Sequence, residues 1–420
     1  MDYREILKDF DIEAYNALVG EEKRQVEGME MIASENYVSP SVLEALGSVF
    51  TNKYAEGYPG KRYYGGQEFT DIIETLAIDR VKALYPGAVT ANVQPHPGCP
   101  ANEAVYMSFL KPGDTVLGMD LGHGGHLSHG HPVTKMAQIF NFVRYKMKDT
   151  STGEIDYDAL RETALAEKPK IILAGFSAYS RELDYQKFRD IATEVGALCM
   201  MDMAHIAGLI AGKQLANPFD FGFDIVTSTT HKTLRGPRGG LILTSSVELG
   251  KIIDKTIFPG LQGGPHMNNV LAKAVAFKEA AQPEFVEYAK NVIANAKTME
   301  IEFKKLGAQI VCGGTDNHLL LINTVDSWGA TGQEAETALD AVHITLNKNS
   351  IPDDPRGAMD PSGIRLGTPA MTTRGFGEEE FKLTAQWMVA AIQNRDDAEK
   401  LKEIAQKVKD LNANFPVPGL

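Results

Sequence analysis

The chain has 420 residues, more than one compact core normally fills, which predicts two domains. Its 43% apolar and 23% charged residues are those of a soluble globular protein, and a formal net charge of −13 argues against nucleic acid or an anionic membrane as the main partner. No apolar run reaches the roughly 20 residues that span a bilayer, and the charged opening Met1-Asp-Tyr-Arg-Glu lacks a signal-peptide core. Cys99, Cys199 and Cys312 have neither metal-ligand spacing nor the look of a disulfide framework, so a reducing, cytoplasmic setting without a metal site is expected.

In chain order, residues 1–30 are charged with scattered apolar positions and read as an N-terminal helical arm. Residues 52–66 are too rich in glycine and tyrosine for regular structure. A helix is predicted over 70–84, where Ile73, Leu76, Ala77, Val81 and Leu84 fall at helical spacing. Short apolar runs at 115–119, 170–174, 197–201, 224–227 and 240–244 then alternate with helical stretches such as 101–110 and 185–195. That alternation predicts an α/β domain around a mixed, mostly parallel sheet, with an edge strand as the place for a reversed one. From about residue 283 the texture changes to a long helix to 306, a strand at 318–323, a helix at 333–341 and a Pro/Gly/Asp loop over 351–363. These shifts divide the chain into an arm, 1–30, a large domain, 31–283, and a smaller α+β domain, 284–420.

The densest chemical signal is the run Asp224 to Gly240, in which an apolar strand ends in hydroxyl residues, one lysine (Lys232) and a glycine-rich turn. Upstream, the run ending at Asp202 also finishes in a carboxylate, with His205 three positions on. In an open α/β sheet such positions fall at the carboxyl ends of strands, where ligands bind. An amine beside a phosphate-holding turn, with an acid to pair a pyridinium nitrogen, is the minimum kit for pyridoxal phosphate chemistry. Taken alone, a solvated lysine and a helix-capping aspartate account for the same two residues.

The surrounding motifs decide between those readings. Ile32-Ala-Ser-Glu-Asn-Tyr37, Asn52 to Gly66, Asn92-Val-Gln-Pro-His96, His123-Gly-Gly-His-Leu127, Asp202 to Gly208, Thr230 to Gly239, Phe258 to His266 and Arg365 to Ala370, in this order, resemble the serine hydroxymethyltransferase family of pyridoxal-phosphate enzymes. The resemblance covers nearly the whole chain and implies an aspartate-aminotransferase-like large domain. It further implies reversible conversion of serine and tetrahydrofolate to glycine and 5,10-methylenetetrahydrofolate, in a homodimer with shared active sites or a tetramer.

The resemblance assigns Lys232 as the Schiff-base lysine and Asp202 as the partner of the ring nitrogen, whose negative charge keeps that nitrogen protonated. It puts His123 on the ring face, Ser177 near the ring oxygen, and His205 close to the same cluster. Arg365 would grip the substrate carboxylate through a two-bond fork, with Ser34 as a further contact. Glu56, partly desolvated among aromatics and glycine, would have a raised pKa and move protons, with Tyr64 beside the reacting substrate. Tyr54, Gly263 and Gly264 would reach the partner chain's cofactor phosphate, and Leu121, Gly125, Leu127 and Asn347 would line the folate site.

The chain departs from the family at the phosphate cradle, where the usual Ser-Gly-Ser is replaced by Pro97-Gly98-Cys99. Proline removes a hydroxyl and an N–H, and cysteine is a weak donor, so the expected loss of grip is about 10- to 150-fold. The helix N-terminus that follows still favours phosphate. Smaller departures are Gly122, Ser180 and the loop 353–361. Two other functions fit the same motifs: a folate-independent aldolase of β-hydroxy amino acids, and an impaired homologue with a binding or regulatory role.

Overall fold

Five of the apolar runs lie side by side in one seven-stranded sheet, described here in a computed structural model that covers residues 3–420; residues 1 and 2 of the expected arm lie outside the described residues. The strand order is Thr90–Asn92, Gly240–Thr244, Ile225–Thr229, Leu198–Asp202, Ile171–Gly175, Thr115–Met119 and Asn141–Tyr145. Only Gly240–Thr244 runs against the rest, and it sits one place in from the edge. The reversed strand is therefore not the edge strand expected from the sequence, because the three-residue strand Thr90–Asn92 covers it.

Parallel strands covered on both faces must be apolar throughout, and every residue of Ile171–Gly175 is buried. Alternate side chains feed two cores: Leu117, Ile172, Cys199, Met201 and Val226 on one face, Val116, Ile171, Leu173, Met200 and Ile225 on the other. The connecting helices start on side-chain caps, as at Asp156, which accepts from the Ala159 N–H (2.9 Å), and Asp184, which accepts from the Lys187 N–H (3.1 Å). The register sets Asp202 opposite Gly175 on one side and Thr227 on the other, at the carboxyl edge of the parallel strands.

A second, four-stranded antiparallel sheet has the order Gln309–Ile310, Leu319–Asn323, Gly363–Gly367 and Asn347–Asn349. Its core takes in Met29, Met31 and Tyr37, and Met29–Glu30 pairs in parallel with Ile344–Thr345. The helix Pro283–Lys305 belongs to both cores: Phe285, Tyr288 and Val292 pack into the first, Met299 and Phe303 into the second.

The arm forms two helices, Tyr3–Phe10 and Ile12–Glu27, the second with no buried residue. Its end is held by the buried Arg374, which donates to the carbonyls of Gln25 (3.0 Å), Val26 (3.0 Å) and Gly28 (2.8 Å) and to Asn412 (3.3 Å) and Phe415 (2.7 Å) near the end of the helix Ala398–Asn412. One guanidinium thus satisfies the unpaired carbonyls of two helix C-termini, where positive charge is also favoured by the helix dipoles. Among the described residues no helix is long and apolar enough to cross a membrane. Replacing Arg374 with methionine should lower the unfolding free energy by about 3 kcal/mol, read as a lower urea midpoint; an unchanged midpoint would show that the clamp does not matter.

Candidate active site

Asp202 ends its strand facing a cavity of about 360 Å³ that is also lined by Ser34, Gly98, Cys99, His126, Ser177, His205 and Lys232. Its Oδ2 accepts from Asn102 Nδ2 (2.8 Å) and lies 3.1 Å from His129 Nε2, while Oδ1 accepts from the Ala204 N–H (3.0 Å). His129 Nδ1 accepts from the His126 N–H (3.2 Å), so Nε2 carries the proton and donates to Asp202. Asn102 is itself oriented by Thr227, whose hydroxyl donates to its Oδ1 (2.6 Å). Burial alone would raise the Asp202 pKa, but the hydrogen bond from His129 and the nearby Lys232 charge hold it well below the usual carboxylate range. A buried, permanently ionised carboxylate results.

Lys232 follows Ile225–Thr229 in a turn pinned from several sides. Its carbonyl accepts from Asn36 Nδ2 (3.0 Å), and the next residue, Thr233, donates from its hydroxyl to the His205 carbonyl (2.9 Å). The Lys232 ammonium is buried and makes no hydrogen bond or ion pair among the described residues. Burial, partly offset by Asp202 and reinforced by Arg365, lowers its pKa from 10.5 to about 8.

Arg365 comes from the second sheet, on Gly363–Gly367, and reaches across to the first. Its Nη1 donates to the Ser177 carbonyl (2.8 Å) and hydroxyl (2.9 Å), and Nε donates to Asn347 Oδ1 (3.1 Å). No carboxylate pairs with it among the described residues, and burial lowers its pKa to about 10. Ser177 Oγ lies 3.4 Å from His205 Nε2, and His205 Nδ1 lies 3.2 Å from His318 Nε2. Burial, then the charges of Lys232 and Arg365, pushes His205 far down, so this pair of rings is neutral.

At the opposite wall the helix Gly98–Phe109 points its first turn into the cavity. A Cβ at residue 98 would lie 2.6 Å from Thr229 Cγ2, so only glycine fits there. Thr229 Oγ1 and His231 Nδ1 both line this cavity and are buried without a hydrogen-bond partner among the described residues. Burial raises the Cys99 pKa, which keeps it a thiol. Free N–H groups, two orphaned polar atoms and a lone buried amine suit an anionic group bearing an aldehyde, and a pyridoxal phosphate fits this donor set.

The remaining candidate residues lie elsewhere on the chain. Glu56 accepts from the phenols of Tyr54 and Tyr64 (3.2 Å each), whose pKa values its presence raises. Gly263 and Gly264 approach the same group: a Cβ on Gly263 would lie 3.5 Å from Glu56 Oε1, and one on Gly264 would lie 3.6 Å from the Tyr54 ring. None of these five lines the Lys232 cavity, and Tyr54 and Tyr64 are exposed. Leu121 and Leu127 are exposed, while the Gly125 backbone packs so closely on the end of Thr115–Met119 that a Cβ would lie 2.3 Å from the Met119 carbonyl oxygen.

His123 is not on the cavity wall. It is buried, its Nδ1 accepts from the Met147 N–H (3.3 Å), and its Nε2 lies 3.4 Å from Asp353 without forming a hydrogen bond. The imidazole of this glycine-rich loop that lines the cavity is His126, three residues further on. Sequence reasoning also passed over Asn102, His129, Thr229, His231 and His318. Asn102, four residues after Gly98 and so on the same helix face, and the His-x-x-His spacing of 126 and 129 were the available signals. Of the departures, Ser180 donates to the Gly314 carbonyl (2.6 Å), and Asp353 pairs with Lys146 (2.9 Å), tying the loop 351–362 to the first sheet's flank.

Comparison with known proteins places the whole chain. The family model of serine hydroxymethyltransferase matches residues 7–388. The chain belongs to the serine hydroxymethyltransferase family. A serine hydroxymethyltransferase of Dichelobacter nodosus is 54% identical, with 98% of both chains covered. One from Legionella pneumophila (strain Corby) is also 54% identical and one from Acinetobacter baumannii (strain ATCC 17978) 52%, each again over 98% of both chains.

The lowered Lys232 pKa has a direct consequence for a serine hydroxymethyltransferase amine. Addition of a simple aldehyde to Lys232 in the cofactor-free chain should speed up with pH around a midpoint near 8, because the neutral amine is the nucleophile. Mass-spectrometric detection of the reduced adduct checks this; a midpoint at the ordinary lysine value would contradict the burial argument.

Proposed function

We propose that the chain interconverts serine and glycine, passing the hydroxymethyl carbon to tetrahydrofolate to form 5,10-methylenetetrahydrofolate. Pyridoxal 5′-phosphate is its cofactor, a homodimer its working form and the cytoplasm its setting. The observation that carries the reading is the pairing in one cavity of a buried amine without a partner among the described residues, Lys232, with a buried guanidinium that no carboxylate pairs among them, Arg365, beside the ionised Asp202. Pyridoxal phosphate, with Lys232 placed to hold its aldehyde until an amino acid takes that place, would supply the electron sink for negative charge at the substrate Cα.

The chain's own groups do the rest. Asp202, held by Asn102 and His129, keeps a proton on the ring nitrogen. The first turn at Gly98 and Cys99, with Thr229 and His231, takes the phosphate, which makes good part of what Pro97 and Cys99 withdraw. Arg365 has Nη2 free of partners among the described residues, so a substrate carboxylate gains a charge-assisted bond and fixes the Cα substituents against the ring. Ser177, anchored by Arg365, and Ser34 flank that position, and His126 lies against the same space.

Glu56, Tyr54, Tyr64, Gly263 and Gly264 enter from a second copy. Val49, Tyr63, Phe69 and Ile72 are large apolar side chains left exposed along the same stretch, which favours burial against another subunit. There Glu56 exchanges a proton with the serine β-hydroxyl. The exposed Leu121 and Leu127, with Gly125 and Asn347, offer the folate an apolar ledge.

Borohydride reduction of the holoprotein should fix one pyridoxyl group on Lys232, and Lys232→Ala should retain none. Tetrahydrofolate should speed proton exchange at the glycine Cα; indifference to folate would instead favour an aldolase of β-hydroxy amino acids. Mixing Lys232→Ala and Glu56→Gln chains, each inactive alone, should restore about a quarter of wild-type activity, because half the dimers then carry one intact site. No recovery on mixing would sink the shared-site arrangement.

A further inference from the structure

Between the edge strand Thr90–Asn92 and the helix that opens at Gly98, the chain runs Val93-Gln-Pro-His-Pro-Gly-Cys-Pro100. Pro95, Pro97 and Pro100 bring no N–H, so backbone donors are scarce where the chain must keep one shape. The segment is held instead by donors that reach its carbonyls from outside. Lys273, on the helix Met267–Ala280, is 1% exposed and donates to the carbonyls of Val93 (2.6 Å), Pro95 (3.2 Å) and Gly240 (2.9 Å). An ammonium has three hydrogens, and all three are used.

The surrounding packing is built around this side chain. A Cβ at residue 239 would lie 2.4 Å from Lys273 Cε, so the stem needs glycine beneath it. The Gly240 N–H also donates to the Pro95 carbonyl (3.0 Å), and a Cβ at residue 240 would lie 2.3 Å from the Pro97 carbonyl oxygen. Gln262 adds two bonds, donating to the Gln94 carbonyl (3.0 Å) and accepting from the His96 N–H (3.2 Å). No carboxylate pairs with Lys273 among the described residues, although burying a cation with neutral partners alone is costly. Burial lowers its pKa from 10.5 to about 7, with Glu74 partly offsetting the shift, so its hold on the segment rests on its hydrogen bonds.

We propose that Lys273 is a positioning residue for the cofactor phosphate: through its three hydrogen bonds it locks the proline-rich segment so that the first-turn N–H groups at Gly98 and Cys99 stay aimed into the cavity. The role rests on the pyridoxal-phosphate reading of that cavity and concerns the phosphate alone, which makes the two separable. Pyridoxal and pyridoxal phosphate share the ring and the aldehyde and differ only in the group Lys273 would serve.

The test is to titrate both compounds into the cofactor-free protein, as wild type and as Lys273→Met. The variant should bind pyridoxal phosphate about 10- to 100-fold more weakly while pyridoxal changes by less than about threefold. Should the methionine variant not fold, Lys273→Gln, whose amide still donates two bonds to the same carbonyls, is read in the same way and should fall between. Equal losses for both compounds, or none, in a folded variant would overturn the role and leave an ordinary structural lysine. Wild-type protein that does not prefer the phosphate compound would overturn the cofactor reading and this role with it.

Discussion

Two buried cations and one buried carboxylate meet in the cavity, and the fold is arranged around that imbalance. Lys232 and Arg365 have no acid of their own, while Asp202 is already engaged by Asn102 and His129. Arg238 and Glu35 line the cavity nearer solvent and leave the interior balance positive. A protein tolerates buried charge of this kind when a ligand completes it. An amino-acid carboxylate would give Arg365 the acid it lacks, and a cofactor aldehyde would take up Lys232 as the proposed function requires.

The construction that keeps the imbalance in place is mostly neutral. Thr227 orients Asn102, Asn102 and His129 hold Asp202, and the backbone N–H of His126 chooses the tautomer of His129. On the far wall Asn347 and Ser177 aim Arg365, and the His205–His318 pair backs Ser177. Each charged group is thus steered by uncharged neighbours, which adds direction without cancelling the field that a ligand would feel.

Much of this was legible in the chain. Apolar strands bounded by turn residues are a strong local signal, so Thr115–Met119, Gly240–Thr244 and the helix Tyr185–Val195 appear at the expected residues. The edge strands Thr90–Asn92 and Asn141–Tyr145 were not, because one is three residues long and the other is polar at its start. Within the site, residues at strand ends could be picked out, since Asp202 and Lys232 each terminate an apolar run. The neighbours that tune them are harder to find: Asn102 and His129 offer only their spacing from Gly98 and His126, and His318 arrives from another part of the chain with no local signature. His123 and His126 illustrate the limit: three residues apart in one glycine-rich turn, they differ only in which way that turn sends the ring.

The helix Pro283–Lys305, 23 residues and so about 35 Å long, has one end in each hydrophobic core. A rod shared in this way is a splint. Swinging one sheet against the other would bend it or tear one of its ends out of packed surroundings, and either costs far more than a side-chain rearrangement. The loop 351–362 is fastened to this frame as well, by the exposed Lys146–Asp353 pair on the outside and by Asp354, which accepts from the N–H groups of Ile351 (3.1 Å), Arg356 (2.9 Å) and Ser362 (2.9 Å), within. A frame splinted in this way keeps Arg365, carried by the second sheet, at a fixed reach from Lys232, carried by the first.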